Sequence, residues 1–274
     1  MKWAFSKPPP MYNRSLRDEK KQVVTGDGSL TLYSAEFDET YHSDRDGALY
    51  ESLQKHVIPA FMLMGDRESV TILDICFGLG YNTLATIYYV KRESLSTKIE
   101  IISPEFDQAL IESLSTFSYP PEFESLRLII ERLSREFYYE DEQFKIEICL
   151  GDARKTIAKM QQRFDIVYQD PFSPAQNPLL WTREYFAQIR AVMREDAVLT
   201  TYSIAAAVRM GLDENGFKLF ILSGERVRDW MLASPIMIDD RLSGLKFIDM
   251  ELKRVRNPEA KSMRDEMFVL EEYR

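Results

Sequence analysis

Three short apolar runs each end in groups able to hold a nucleoside, and a fourth ends in a carboxylate set in a stiff aromatic loop. The first run, residues 70–75, leads into "CFGLGYN", where Gly78 and Gly80 allow a tight turn and close backbone approach to a ligand. The second, residues 98–103, is followed by Glu105. That acid stands about 20 residues or a little more beyond the glycines, where a carboxylate accepts hydrogen bonds from ribose hydroxyls. The third, residues 144–150, ends in Gly151-Asp152-Ala153. An aspartate there accepts an adenine amino group or caps the helix that follows. Thr83 stands where the dinucleotide fingerprint has its last glycine. The set therefore favours S-adenosylmethionine over a dinucleotide.

The fourth run, residues 164–169, opens into "DPFSPAQNPLLW". A free aliphatic amine is largely protonated at neutral pH, with a reference value near 10.4 for lysine. Its lone pair must be exposed before it attacks a sulfonium methyl. Asp170 is suited to accept an N–H hydrogen bond, orient the lone pair and assist proton loss. Phe172 and Trp181 offer faces for stacking on a base, and Asn177 a donor and an acceptor for a base edge. The competing reading makes Trp181 a core residue and the loop a plain connection. Three other functions compete with this one. An aminopropyl transferase needs several carboxylates for a polycationic amine, and this loop has one. A nicotinamide-dependent oxidoreductase is disfavoured by the incomplete glycine pattern. A non-catalytic RNA-binding module does not need Gly78, Gly80, Glu105, Asp152 and Asp170 together.

Elements able to present these groups follow from the pattern. Apolar runs at 70–75, 98–103, 144–150, 164–169 and 197–203 alternate with helical stretches such as "GYNTLATIYYV", "DQALIESL", "ARKTIAKM" and "REYFAQIRAVM". Such alternation predicts a Rossmann-like α/β fold, with a mostly parallel sheet and helices on both faces. Residues 1–32 read as an irregular arm with a turn at Gly26-Asp27-Gly28, and a helix is expected from about Ala48 to Pro59. The organisation expected is an arm and helical segment (1–65), a methyltransferase core (66–250) and a basic extension (251–274), together one structural domain.

The 274 residues carry a net charge of −9, which argues against a general nucleic-acid binder. Basic residues nevertheless gather at both ends: Lys2, Lys7, Arg14, Arg17, Lys20 and Lys21, then Lys253, Arg254, Arg256, Lys261 and Arg264. Either they form a local patch for RNA or they are solvated tails. Two histidines and two isolated cysteines, Cys76 and Cys149, give no metal-ligand spacing, so no metal is expected. The cysteines read as small buried hydrophobes. No signal peptide and no run of membrane-spanning length is seen, so a cytoplasmic protein is expected, with no membrane partner.

Over residues 32–235 the sequence resembles the methyltransferases that form 5-methylaminomethyl-2-thiouridine at the wobble position of tRNA. In many bacteria that activity is the N-terminal half of a bifunctional enzyme with an FAD-dependent oxidase domain. The resemblance rests on "AEFDETYHSDRDGALYESLQKHV", "FGLGYNTL" preceded by Asp74, "ISPEFD", "GDARKTI" and above all "DPFSPAQNPLLWTREYF". It implies N-methylation of the 5-aminomethyl group of wobble uridine, with S-adenosylmethionine as cofactor and the anticodon arm of tRNA as partner. The cofactor residues implied are Asp74, Gly78, Gly80, Asn82, Glu105, Asp152 and Ala153. Asp170 is implied beside the amine, and Tyr41, His42, Phe172, Asn177 and Trp181 in the nucleoside pocket. Cys76 stands where the family usually has glycine, and Pro171 where bifunctional members tend to have glycine. No FAD domain is expected, so the resemblance implies a stand-alone enzyme acting on aminomethyl-uridine made by others.

Overall fold

Side chains alternate between the two faces of a strand, and here both faces are apolar. Ile72, Ile101, Ile146, Ile166 and Val198 enter one core cluster. Their chain neighbours Leu73, Ile102, Val167 and Leu199 enter another on the opposite face. A sheet of this kind must be covered on both sides by helices. A computed structural model describes residues 20–161, 163–225, 227–239 and 244–268.

The strands are β1 (Lys20–Val24), β2 (Leu30–Ser34), β3 (Glu39–Thr40), β4 (Ser69–Ile75), β5 (Lys98–Glu105), β6 (Tyr138–Glu140), β7 (Phe144–Leu150), β8 (Phe164–Gln169), β9 (Met193–Thr201), β10 (Lys218–Leu222), β11 (Trp230–Ser234) and β12 (Lys246–Phe247). The main sheet has the order β12-β10-β11-β9-β8-β4-β5-β7-β6. Its centre, β7-β5-β4-β8-β9, is parallel. The flanking strands are antiparallel. Chain order reverses at β4, which pairs with β5 on one side and β8 on the other. Ligands of open α/β sheets bind beyond the carboxyl ends of the strands at such a reversal. The Rossmann-like α/β expectation is thus the observed architecture.

Three expectations are corrected. Residues 20–34 are not an irregular arm: β1 and β2 pair as a hairpin, and β3 adds a third strand. The foreseen turn is there, and Asp27 fastens it. Its Oδ1 accepts from Thr25 Oγ1 and the Ser29 amide, each at 2.9 Å, and its Oδ2 from the Tyr50 amide at 2.8 Å. Pro59 does not end its helix. The chain runs from Ala48–Glu51 through a π-helix, Ser52–Val57, into Ile58–Met64 with the proline in the first turn. The wider π turn relieves the clash that a proline ring makes with the carbonyl four residues back. The helix after β7 is also shorter than expected, Ala153–Ile157. Of the basic residues, Lys2, Lys7, Arg14 and Arg17 lie outside the described residues, whereas Lys20 pairs with Asp107 at 2.6 Å.

Candidate active site

The carboxyl ends of β4, β5, β7 and β8 and the loop between β2 and β3 line an open cleft. Each strand end contributes through its local chemistry. After β4 the chain turns through Cys76 (φ 65°), Gly78 (φ 55°) and Gly80 (φ 73°) before the helix Tyr81–Arg92. Cys76 therefore adopts a left-handed conformation that costs an L-residue about 1–2 kcal/mol and glycine nothing. Its thiol lies in the cleft wall. Burial and the surrounding carboxylates push it well above its usual range.

At the β5 end, Glu105 accepts from the Gly78 amide at 2.8 Å, and from the Phe106 and Asp107 amides at 2.7 Å. The acid thus fixes the glycine turn of the neighbouring strand while lining the cleft. Burial raises its pKa even against those three donors. After β7, Asp152 caps the next helix by accepting from the Arg154 amide at 2.9 Å, and Asp152, Ala153 and Gly151 line the cleft. Beside Gly151 no protein atom lies within 4 Å of where a Cβ would stand.

The β8 end brings Asp170. Asn82 Nδ2 donates to its Oδ2 at 2.8 Å, joining the glycine turn to this carboxylate. His56 Nε2 lies 3.4 Å from its Oδ1. Burial pushes the Asp170 carboxyl up, but the two histidines and the Asn82 amide outweigh it and hold the pKa below the ordinary value. Asp170 is therefore a buried carboxylate that stays ionised. The proline loop after it is pinned from several sides. Tyr202 Oη donates to Pro171 O at 2.9 Å, Gln169 Nε2 to Leu180 O at 2.7 Å, and the Ser173 amide to Glu39 Oε2 at 2.8 Å. Phe172 is held stacked on Phe37 (centroids 4.3 Å apart) with Tyr41 edge-on at 4.9 Å. These rings line the cleft together with His42 and Asn177.

Three of the expected site residues do not line the cleft. Trp181 is fully buried, packs edge-on against Phe186 and Tyr202, and donates from Nε1 to Phe172 O at 2.8 Å. It braces the loop and has no face to stack on a base. Asp74 lies beneath the site, where Thr83 Oγ1 donates to it at 2.8 Å. Gly80 serves the turn, its φ of 73° starting the helix. Two residues at the site escaped the sequence reading, Phe37 and His56. Phe37 sits in the quoted "AEFDETYH" stretch beside Tyr41. His56 is one of only two histidines in the chain, and both face Asp170 electrostatically.

Residues 125–233 match a family described as S-adenosyl-L-methionine-dependent methyltransferase. The crystal structure of MNMC2 from Aquifex aeolicus superposes with a TM-score of 0.80 at 31% identity, covering 93% of this chain and 82% of that one. The chain belongs to the MnmC2 family of S-adenosylmethionine-dependent methyltransferases. An uncharacterized protein, MJ0670 of Methanocaldococcus jannaschii, is 31% identical over 211 residues, 74% of this chain and 56% of that protein. The tRNA 5-methylaminomethyl-2-thiouridine biosynthesis bifunctional protein MnmC of Azoarcus sp. is 30% identical over 202 residues, 69% of this chain and 31% of that protein. The chain thus spans about half of the first relative and a third of the second.

For this MnmC2-family chain the cleft has the chemistry the cofactor needs. A sulfonium is a cation, and the carboxylates of Glu105, Asp152 and Asp170 surround the cavity. Buried atoms without a partner, Asn82 Oδ1 and His42 Nδ1, belong to residues of its wall. Leaving such atoms unsatisfied costs about 1–3 kcal/mol each, which a bound polar ligand recovers. Among the described residues no helix is long and apolar enough to cross a membrane.

Proposed function

We propose that the chain methylates the amine nitrogen of the 5-aminomethyl group on wobble uridine or 2-thiouridine of tRNA. The observation that carries this reading is the buried carboxylate of Asp170 in the cleft, with the aromatic wall of Phe37, Tyr41 and Phe172 beside it. The name of the bifunctional MnmC relatives, tRNA 5-methylaminomethyl-2-thiouridine biosynthesis proteins, supports the choice of nucleoside.

S-adenosylmethionine, when bound, supplies an electrophilic methyl group on a positively charged sulfur. Glu105 is the acceptor for its ribose hydroxyls, and Asp152 and Ala153 flank its adenine. Gly78, Gly80 and Asn82 shape the turn that approaches it, and Asp74 supports that turn from below. The chain's part in the reaction is to prepare the amine. The ammonium proton leaves to solvent before transfer; Asp170 then accepts an N–H hydrogen bond from the neutral amine, aims its lone pair along the cleft and stabilises the positive charge that forms on nitrogen as the methyl arrives. The rings of Phe37, Tyr41 and Phe172 hold the flat base and exclude water, which strengthens every interaction with Asp170. His42 and Asn177 face the base from the same wall, and the anticodon arm of tRNA is the partner.

The test is to incubate the purified chain and S-adenosylmethionine with tRNA carrying 5-aminomethyl-2-thiouridine, then digest the tRNA and weigh the nucleosides. Gain of one methyl on that nucleoside is expected. Cofactor binding without that gain would refute the acceptor and leave methyl transfer to another amine.

A further inference from the structure

His56 is a buried imidazole that the reaction as derived does not use. It is wholly inaccessible and sits on the π-helix Ser52–Val57. π turns are rare and cluster at functional sites. This one lets two consecutive polar side chains turn inward with separate tasks. Lys55 Nζ pairs with Glu51 at 2.7 Å and Asp46 at 3.0 Å, which fixes the helix. His56 Nδ1 is hydrogen-bonded to Thr200 Oγ1 of β9 at 2.9 Å, and Tyr168 packs edge-on against the ring at 5.7 Å. With Nδ1 so engaged, the orphaned Nε2 is left facing Asp170 Oδ1 at 3.4 Å. Asn82 already holds the other oxygen, Oδ2. The carboxylate is thus approached from two elements, by Asn82 at one oxygen and by His56 at the other.

We propose that His56 is the positioning residue of the transfer, holding Asp170 ionised and oriented through Nε2, with Thr200 fixing the ring. The inference rests on Asp170 being the group beside the amine. The other titratable groups around the pair are His42 from the loop after β3, Glu51 from its own helix, Asp74 from β4, Cys76 from the glycine turn, Tyr168 from β8 and Tyr202 after β9. All of these remain in the variants below, so a change in Asp170 reports on His56.

The experiment compares the full chain with His56→Ala, His56→Gln and Thr200→Val. The Asp170 carboxyl is titrated by 13C NMR, with Asp170→Asn giving the assignment. In His56→Ala its pKa is expected to rise by about one unit, because a favourable partner of the charged form is gone. His56→Gln, which restores an N–H donor at a similar reach, brings it back toward the unsubstituted value. Thr200→Val shifts it the same way as the alanine but less. The S-adenosylmethionine Kd stays within about twofold, which separates the role at Asp170 from a loss of the fold. An Asp170 titration unchanged in a folded His56→Ala or Thr200→Val variant overturns the proposal. The carboxyl titration needs no acceptor. If the unmodified chain fails to methylate aminomethyl-uridine, the substrate reading falls while the titration still decides the role of His56.

Discussion

The carboxylates of Asp74 and Asp170 share one buried region, and their surroundings shift them in opposite directions. Burial and the Asp170 charge push Asp74 up to about 7, with the Thr83 hydroxyl working the other way. A raised acid stabilises the fold fully below its unfolded value, and that contribution is lost as pH rises through the folded value. For Asp74 the window runs from its ordinary 3.8 to about 7. Over it, stability on the order of 4 kcal/mol disappears. Asp74→Asn is neutral at every pH, so urea unfolding at pH 5 and pH 8 should show the wild type losing most of that amount relative to the variant. Parallel pH curves for the two would refute a raised Asp74. Roles at the cleft divide in the same way. Glu105→Ala should weaken cofactor binding in calorimetry by tenfold or more. Asp170→Asn should leave binding intact and slow transfer by about 10²–10⁴-fold, and full turnover in folded Asp170→Asn would remove that residue from the reaction. That Glu105 and Asp170 line the cleft was legible because each acid stands at the carboxyl end of a buried strand. His56 was not, because a histidine within an amphipathic stretch reads as packing until its partner across the sheet is known. Trp181 misled for the converse reason. An aromatic in a loop stacks or packs, and only burial tells which.

At the level of elements, the glycine turn carries strain that side chains cannot share. A Cβ on Gly80 would stand 2.6 and 2.7 Å from two ring carbons of Phe77, at a φ of 73°. Gly216 has a φ of 82° and nothing within 4 Å. Both positions charge an alanine about 1–2 kcal/mol for the left-handed backbone, and Gly80 adds about 1–3 kcal/mol for displacing the ring. Gly80→Ala should therefore lose more stability than Gly216→Ala in urea titrations, and equal losses would mean the ring moves freely. The central strands were readable because β4, β5, β8 and the second half of β9 are buried on both faces and so are mostly apolar, while β7 shows the alternation of a strand with one buried face. The β1–β2 hairpin was not, since "KKQVV" is largely exposed and its pairing depends on a partner strand rather than its own pattern. Yet this small sheet delivers Phe37, Tyr41 and His42 to the cleft. Tyr81 Oη donates to Leu30 O at 2.8 Å, tying the small sheet to the helix that follows the glycine turn, and within the sheet the His42 amide donates to Thr31 Oγ1 at 3.1 Å.

Across the whole molecule, the basic C-terminal stretch read from sequence as a patch or a tail, since charge alone does not reveal partners. In the fold, two of its arginines, Arg254 and Arg264, are paired, and its last described turn is latched to the cleft's outer wall. Arg264 Nε donates to Glu184 at 2.5 Å, and Arg254 pairs with Asp213. Asp265 is the centre of the latch. Its Oδ1 accepts from Arg154 Nη1 at 3.0 Å and Thr182 Oγ1 at 2.6 Å, and its Oδ2 accepts from Arg154 Nη2. Thr182 caps the helix Arg183–Val192, whose N-terminus favours the nearby carboxylates of Asp265 and Glu184. Arg154 belongs to the cleft wall. One carboxylate thus joins the C-terminal segment, a helix start and a cleft residue. Asp265→Ala should cost about 1–3 kcal/mol by losing charged hydrogen bonds. Because Arg154 and Asp265 are in direct contact, the double variant Arg154→Ala/Asp265→Ala should lose less than the sum of the singles. Additive losses in that cycle would mean the latch is only a neighbourly contact. Non-additive losses, with cofactor affinity reduced in Asp265→Ala itself, would place the stability of the C-terminal segment and the shape of the cleft under a single control.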